Sequence, residues 1–235
     1  ASDPFSAAED ARVSIERRGL CTPWLEKLAR SSSSPSGARI LVARRPGHFR
    51  LPPATSQPII MVGPGTGVAP FVGFLEQRAQ EDSVAIGPAW LFFGCRSPSR
   101  DHLFRAELDG WVDSGVLTRL SLCFSRDAAA RDAADADVYV QDAMKRHWEE
   151  VAEQIVERNA LVFVCGDAKG MGRDVNDALA DILCRYAAKH PEALPKLGIE
   201  HTANATDDQA MTKVQALQAL MRLSSEKRYL RDLWA

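Results

Sequence analysis

The chain has 235 residues, 46% hydrophobic and 26% charged, with a formal net charge of -2 at pH 7. This is ordinary globular composition for one large domain or a domain with part of a second, and it leaves no electrostatic footprint for nucleic acid or an anionic membrane. No apolar run is long enough to span a bilayer, Ala1-Ser2-Asp3-Pro4 has no secretory leader pattern, and five scattered cysteines without C-x-x-C spacing favour reduced thiols in a cytoplasmic compartment over disulfides or a metal site.

The first 55 residues differ in character from the rest. Arg12-Val13-Ser14-Ile15 alternates like a short strand. Thr22 is suited to cap a helix running through Trp24, Leu25, Leu28 and Ala29. Ser31–Gly37 is a Ser/Pro/Gly loop, and Ile40–Ala43 and Phe49–Leu51 read as strands. This segment holds too little apolar surface for an independent core. From Pro58 the pattern becomes βα repeated. Apolar runs at Ile59–Val62, Ala89–Phe93, Leu117–Phe124 and Leu161–Val164 predict parallel strands covered on both faces. Helical periodicity predicts helices near Pro70–Gln80, Asp101–Val112, Gln141–Arg158, Gly172–Ala188 and Asp207–Leu223, with a loop over Pro191–Thr206.

Three separated signatures stand out on this framework. The first, Val62-Gly63-Pro64-Gly65-Thr66-Gly67-Val68-Ala69-Pro70, reads as strand, glycine turn and helix. Glycines permit close backbone approach, and a helix N-terminus offers free N–H groups to a phosphate. The Gly63-x-Gly65-x-Gly67 spacing differs from G-x-G-x-x-G, and a bare glycine turn is more often structural than a phosphate cradle. The second, Val162-Phe163-Val164-Cys165-Gly166-Asp167, ends an apolar run in a turn; a free cysteine by itself is usually a small core hydrophobe. The third is the tail Tyr229-Leu230-Arg231-Asp232-Leu233-Trp234-Ala235, whose tryptophan alone would read as a packing anchor.

Together these strings resemble the ferredoxin–NADP reductase superfamily. Leu91-Phe92-Phe93-Gly94-Cys95-Arg96, Ser125-Arg126, Val138-Tyr139-Val140-Gln141 and Cys165-Gly166-Asp167-Ala168-Lys169 are similar to the C-terminal module of the diflavin reductases, which pass electrons from NADPH to FAD to FMN. Arg100–Arg105, Phe124–Asp127 and Glu226–Trp234 most resemble the branch that reactivates cobalamin-dependent methionine synthase.

The resemblance implies an α/β fold, an open and mostly parallel sheet flanked by helices, over residues 56–235. A remnant of a β-barrel FAD-binding domain would precede it in residues 1–55. It implies hydride transfer from NADPH to FAD, and onward transfer to an FMN-binding flavodoxin-like domain that is not among these residues. Methionine synthase would be the electron acceptor. It assigns Gly19, Leu20, Cys21 and Thr22 to the FAD diphosphate and Thr66 to the nicotinamide half of NADPH. Ser125, Arg126, Tyr139, Val140 and Gln141 would form the 2′-phosphate site. An arginine suits such a site because its planar fork pairs with phosphate oxygens. Asp174 would contact the cofactor and Asp167 would shape its turn. Cys165, Asp232 and Trp234 form the implied catalytic group. Cys165 would set position and polarity near the nicotinamide, Asp232 would offset positive charge, and Trp234 would stack on the flavin.

Departures from the family pattern are equally readable. Asp137 stands where many relatives have lysine, and with Asp132 and Asp135 is expected to weaken attraction for NADPH. Gly170 replaces an asparagine, and the Arg-x-Tyr-Ser motif of the FAD domain is not found here. Arg96 reads equally well as an adenosine contact or an exposed loop residue. Two further readings stay open: a nicotinamide- or partner-binding module that does not hold FAD, and the equivalent module of a reductase serving haem proteins.

Overall fold

The computed structural model describes residues 21–31, 40–43, 47–81, 86–127, 137–199 and 211–234. The expectations for Arg12–Ile15, Gly19, Leu20, Asp132, Asp135, most of the 31–37 loop and the segment from Glu200 to Ala210 lie outside these residues. The chain divides into two compact units, Ala1–Pro46 and Gly47–Ala235.

In the first unit, α1 spans Cys21–Ser31 and leaves Trp24 and Leu25 exposed. Thr22 is the second residue of that helix, not its cap. Ile40–Ala43 is not a strand, and Leu41 and Val42 are solvent-exposed. Alternating or apolar character makes a strand only where a partner backbone accepts its ladder.

The second unit is a five-stranded, all-parallel sheet in the order β3-β2-β1-β4-β5. Its strands are β1 (Ile59–Val62), β2 (Ala89–Cys95), β3 (Arg119–Phe124), β4 (Leu161–Asp167) and β5 (Tyr229–Trp234). β1 is buried at every position and lies at the centre. Such a strand must be apolar on both faces, which is why its sequence runs Ile-Ile-Met-Val without alternation. One face carries Ile59, Met61, Leu91, Phe93, Phe163 and Cys165 under α2 (Ala69–Ala79) and α3 (Arg105–Asp113). The other carries Ile60, Val62, Phe92, Val162 and Val164. It is covered by α4 (Val140–Arg146), α5 (Trp148–Val156), α6 (Arg173–Lys189) and α7 (Lys213–Ser225).

The second unit differs from the sequence reading at five places, each with a local cause. Phe49–Leu51 is irregular; Phe49 instead packs its ring 5.3 Å from that of Phe163 and 5.7 Å from that of Phe74. α3 starts at Arg105 rather than Asp101, because the Asp101 carboxylate is committed to the preceding loop and Phe104 takes a left-handed φ of 55°. The single helix expected over Gln141–Arg158 breaks at His147, whose ring lies 5.7 Å from that of Trp90. α7 starts only after Thr212, which accepts from the Gln215 N–H at 3.3 Å while the Gln215 side chain accepts from the Thr212 N–H at 2.9 Å. This reciprocal capping box fixes the helix start. Finally, the tail forms β5. Lys227, at φ 58°, reverses the chain after α7, and Arg228 N–H donates to Leu223 O at 2.7 Å.

Candidate functional site

β1 leads outward to β2 and β3 on one side, while β4 and β5 lie on the other. The loops after β1 and β4 therefore diverge, creating the topological switch point where open α/β sheets take ligands. The glycine turn lies here. Gly65 adopts φ +57°, a conformation L side chains rarely enter. Gly67 presses against the C-terminal end of β4: a Cβ on it would lie 2.1 Å from the Cys165 carbonyl oxygen. The turn is a short 3-10 segment, Gly65–Val68, that runs directly into α2.

A cavity of ≈ 870 Å³ opens beside this turn at the C-terminal ends of the strands. That falls in the range of about 300–1,000 Å³ usual for small-molecule and cofactor sites. Thr66, Ser125, Tyr139, Val140, Gln141 and Asp174 all line it. Tyr139, the N-cap of α4, is exposed, and its N–H donates to the Asp142 carboxylate at 3.0 Å. Asp174 lies in the first turn of α6. Arg96 lines the cavity and also an adjoining pocket of ≈ 440 Å³; Arg126 lines only the latter.

Cys165, Asp232 and Trp234 lie apart from this cavity lining, on β4 and β5. The parallel register sets Cys165 opposite Asp232 and Asp167 opposite Trp234. Cys165 is buried; burial first, and Asp232 second, push its thiol up to about 11. It is a neutral thiol at physiological pH and not an activated nucleophile. Trp234 keeps 45% of its surface exposed at the outer end of β5, so it is not buried as a packing anchor. Asp167 caps the next turn, accepting from Gly170 N–H at 2.6 Å. That turn, Ala168–Gly172, is a π-helical segment, a feature frequent at functional sites. Among the assigned FAD-diphosphate residues, Cys21 and Thr22 open α1 in the other unit, whereas Gly19 and Leu20 lie outside the described residues.

Asp137 does not line the cavity. It pairs with Arg146 at 3.2 Å, so its charge is largely offset inside the fold. Burial raises its carboxyl above the usual range, with Arg146 acting against that.

Sequence reasoning missed Asp101, Leu103 and Met171 in the cavity wall. Asp101 accepts from the Ser97 N–H at 2.8 Å and the Arg96 N–H at 3.0 Å, closing the loop after β2. Those N–H groups, Ser97 first, hold its carboxyl below the usual carboxylate range. An acid six residues after a strand end, in a Ser/Pro stretch, was the available signal. Met171 carries no such signal, because only the π-turn carries it to the wall.

A family profile described as "Oxidoreductase NAD-binding domain" matches residues 61–177. The chain is 41% identical to methionine synthase reductase of Rattus norvegicus over 237 residues, covering 93% of this chain and 31% of that protein. Identity to the Homo sapiens methionine synthase reductase is 38%, over 96% of this chain and 32% of the relative. NADPH–cytochrome P450 reductase of Cavia porcellus is 36% identical, over 93% of this chain and 28% of the relative. The chain thus spans about a third of the length of these relatives. A parallel sheet with its glycine turn at the switch point, and similarity to both kinds of reductase along nearly the whole chain, lead to one conclusion: the chain belongs to the diflavin reductase family, of which it carries the oxidoreductase NAD-binding domain.

Proposed function

We propose that this chain is the NADPH-binding, FAD-facing module of a diflavin reductase acting in the cytoplasm. In it residues 56–235 bind the nicotinamide cofactor and residues 1–55 belong to the end of an FAD-binding domain. When bound, NADPH supplies a hydride and FAD accepts it, while an FMN-binding domain elsewhere carries electrons onward. The observation that carries the reading is the gathering of Thr66, Ser125, Tyr139 with Gln141, and Asp174, from four separate segments, around one cavity at the switch point.

In this reading Thr66 and the glycine turn hold the nicotinamide end, because the turn brings backbone close to the C-terminal end of β4. Ser125, Arg126, Tyr139, Val140 and Gln141 hold the adenosine 2′-phosphate, and Asp174 hydrogen-bonds the cofactor. Cys165 contributes shape and polarity as a neutral thiol. Asp232, its register partner, offsets positive charge on the oxidised nicotinamide. Trp234 offers a half-exposed indole for stacking on the flavin, an interaction worth about 0.5–1.5 kcal/mol beyond area burial and so readily displaced. Cys21 and Thr22, with Gly19 and Leu20, contact the FAD diphosphate.

The acceptor we favour is cobalamin-dependent methionine synthase. Identities of 38–41% to methionine synthase reductases, against 36% to a cytochrome P450 reductase, support that choice. Calorimetric titration of the chain with 2′,5′-ADP and 5′-AMP at fixed salt tests the nicotinamide site. Tighter binding of 2′,5′-ADP, with the preference lost in Arg126→Ala, is expected; equal binding, or none, refutes an NADP site. Flavin absorbance of the purified chain tests whether the FAD contacts in residues 19–22 suffice alone.

A further inference from the structure

We propose that Arg100 is a specificity residue for the 2′-phosphate, completing with Arg96 and Arg126 an anion subsite beside the dinucleotide cavity. The inference rests on the nicotinamide-site reading above and adds to it a residue and a loop.

The subsite is the ≈ 440 Å³ pocket lined by Arg96, Ser97, Ser99, Arg100, Asp101 and Arg126. It shares Arg96 and Asp101 with the larger cavity, so the two adjoin. Its arginines are brought together by backbone, not by chance proximity of long side chains. Beyond the ends of β2 and β3 the pairing continues: Ser125 N–H donates to Cys95 O at 2.9 Å, and Arg126 N–H donates to Arg96 O at 2.8 Å. Arg96 and Arg126 therefore spring from adjacent, hydrogen-bonded positions. The loop between Arg96 and Arg100 is closed by its own contacts. Asp101 accepts from the Arg96 and Ser97 N–H groups, while Arg100 and Asp101 N–H both donate to Ser97 O at 3.3 Å. These bonds fix the backbone from which Arg100 projects.

The charge balance points to a phosphate monoester. Three arginines line the pocket, and Asp101 is the one carboxylate among its described lining residues. The oxygens of Asp101 are already engaged by backbone N–H groups, which lowers their demand on the arginines. Ser97 and Ser99, with hydroxyl oxygens 3.1 Å apart, add neutral hydrogen-bonding groups. A dianionic 2′-phosphate uses such a set, because guanidinium forks pair with its oxygens. A ribose 2′-hydroxyl does not need it. The family site at Ser125 and Arg126 thus gains a second wall, supplied by the loop after β2.

The test uses the full chain with Arg100→Ala and Arg100→Lys, titrated with 2′,5′-ADP and with 5′-AMP at fixed salt. Arg100 is exposed, so melting temperatures close to wild type are expected for both variants. Loss of one partly solvated, charge-assisted contact should weaken 2′,5′-ADP about five- to tenfold in Arg100→Ala and leave 5′-AMP within about twofold. Arg100→Lys should retain part of the preference, keeping charge but losing the fork. If wild type prefers 2′,5′-ADP and Arg100→Ala does so equally, the role of Arg100 is overturned while the NADP site stands. Equal weakening of both ligands also overturns it, since the residue would then act on the shared nucleotide. Wild-type chain without any preference removes the underlying reading and this one with it.

Discussion

Gly67 gives the sharpest test of how the site is assembled. Replacing it with alanine places a Cβ 2.1 Å from the Cys165 carbonyl oxygen, where carbon–oxygen contacts settle at about 3.3 Å or more. The gap to be opened is roughly 1.2 Å by that comparison. Both sides are backbone, so no side chain can rotate away; either the glycine turn or the end of β4 must move. Overpacking of this kind costs about 1–3 kcal/mol, and rigid partners favour the upper end. For a unit of this size each kcal/mol shifts the melting temperature by about 2–4 °C, so a loss of about 6–12 °C is expected at 3 kcal/mol. Gly73→Ala is the control. Gly73 is an exposed residue inside α2 with open space around it, and the same added methyl should stabilise by about 0.5–1 kcal/mol. Calorimetric melting of the three proteins, with 2′,5′-ADP titration of each, makes the comparison. Gly67→Ala melting at or above wild type would refute the contact between the two turns. Intact nucleotide binding in an otherwise destabilised Gly67→Ala would separate that contact from the binding site.

Other outcomes follow from the same geometry. Native chain at pH 8 should be alkylated first at exposed Cys21, with buried Cys95, Cys123 and Cys165 protected until unfolding; mass spectrometry showing Cys165 modified as fast as Cys21 would contradict its burial. Burial holds the Cys123 thiol up to about 12 and the Cys165 thiol up to about 11, both from 9.0. Well below pH 9 these thiols are protonated in both states and stability is unaffected by them. Above pH 9 only the unfolded chain ionises, so the melting temperature should fall as pH rises from 9 towards 11; a rise over that window would oppose the assignment. Asp137→Asn should leave 2′,5′-ADP affinity within about twofold, because Arg146 already offsets that charge, whereas a large gain would restore Asp137 as a repulsive group. Trp234→Ala should cost less than the roughly 3–5 kcal/mol of a fully buried aromatic, since the indole is half exposed. In a complete reductase the same change should alter turnover and the preference between NADPH and NADH, and unchanged values would remove Trp234 from the flavin face.

Much of the fold was legible locally. A strand buried on both faces must be written as an unbroken apolar run, so β1, β2 and β4 announce themselves in Ile59–Val62, Ala89–Phe93 and Leu161–Val164. The edge strand β5 does not. Its last four residues, Arg231-Asp232-Leu233-Trp234, meet solvent and carry charge, so the tail reads as polar although its backbone pairs with β4 along the full length. Helix starts were misjudged where a side chain did another task. Asp101 looks like the first residue of α3 but spends its carboxylate on the loop behind it, and the start of α7 waits for the Thr212–Gln215 exchange. His147 gives no breaker signal, yet its packing against Trp90 splits a helix the periodicity runs straight through.

The site divides along the same line. The order of strand, glycine turn and helix, the cysteine turn and the tail were fixed by residue types at short range, where covalent geometry and glycine conformational freedom act. That order carries the resemblance to the ferredoxin–NADP reductase superfamily, and the resemblance implies the reaction class. Which residues face one another was decided by the sheet. Parallel register sets Cys165 beside Asp232, and the switch point brings Gly67 onto the Cys165 carbonyl across about a hundred residues of chain. Asp137 read as a repulsive charge until Arg146, nine residues on, met it from α4. Arg100 entered the sequence reading only within the string Arg100–Arg105; backbone pairing past the strand ends sets its loop beside the pocket that Arg126 also lines. Local sequence sets the conformations a segment can adopt; ion pairing, close approach and shared cavities depend on distances through space, and those exist only once the sheet has formed.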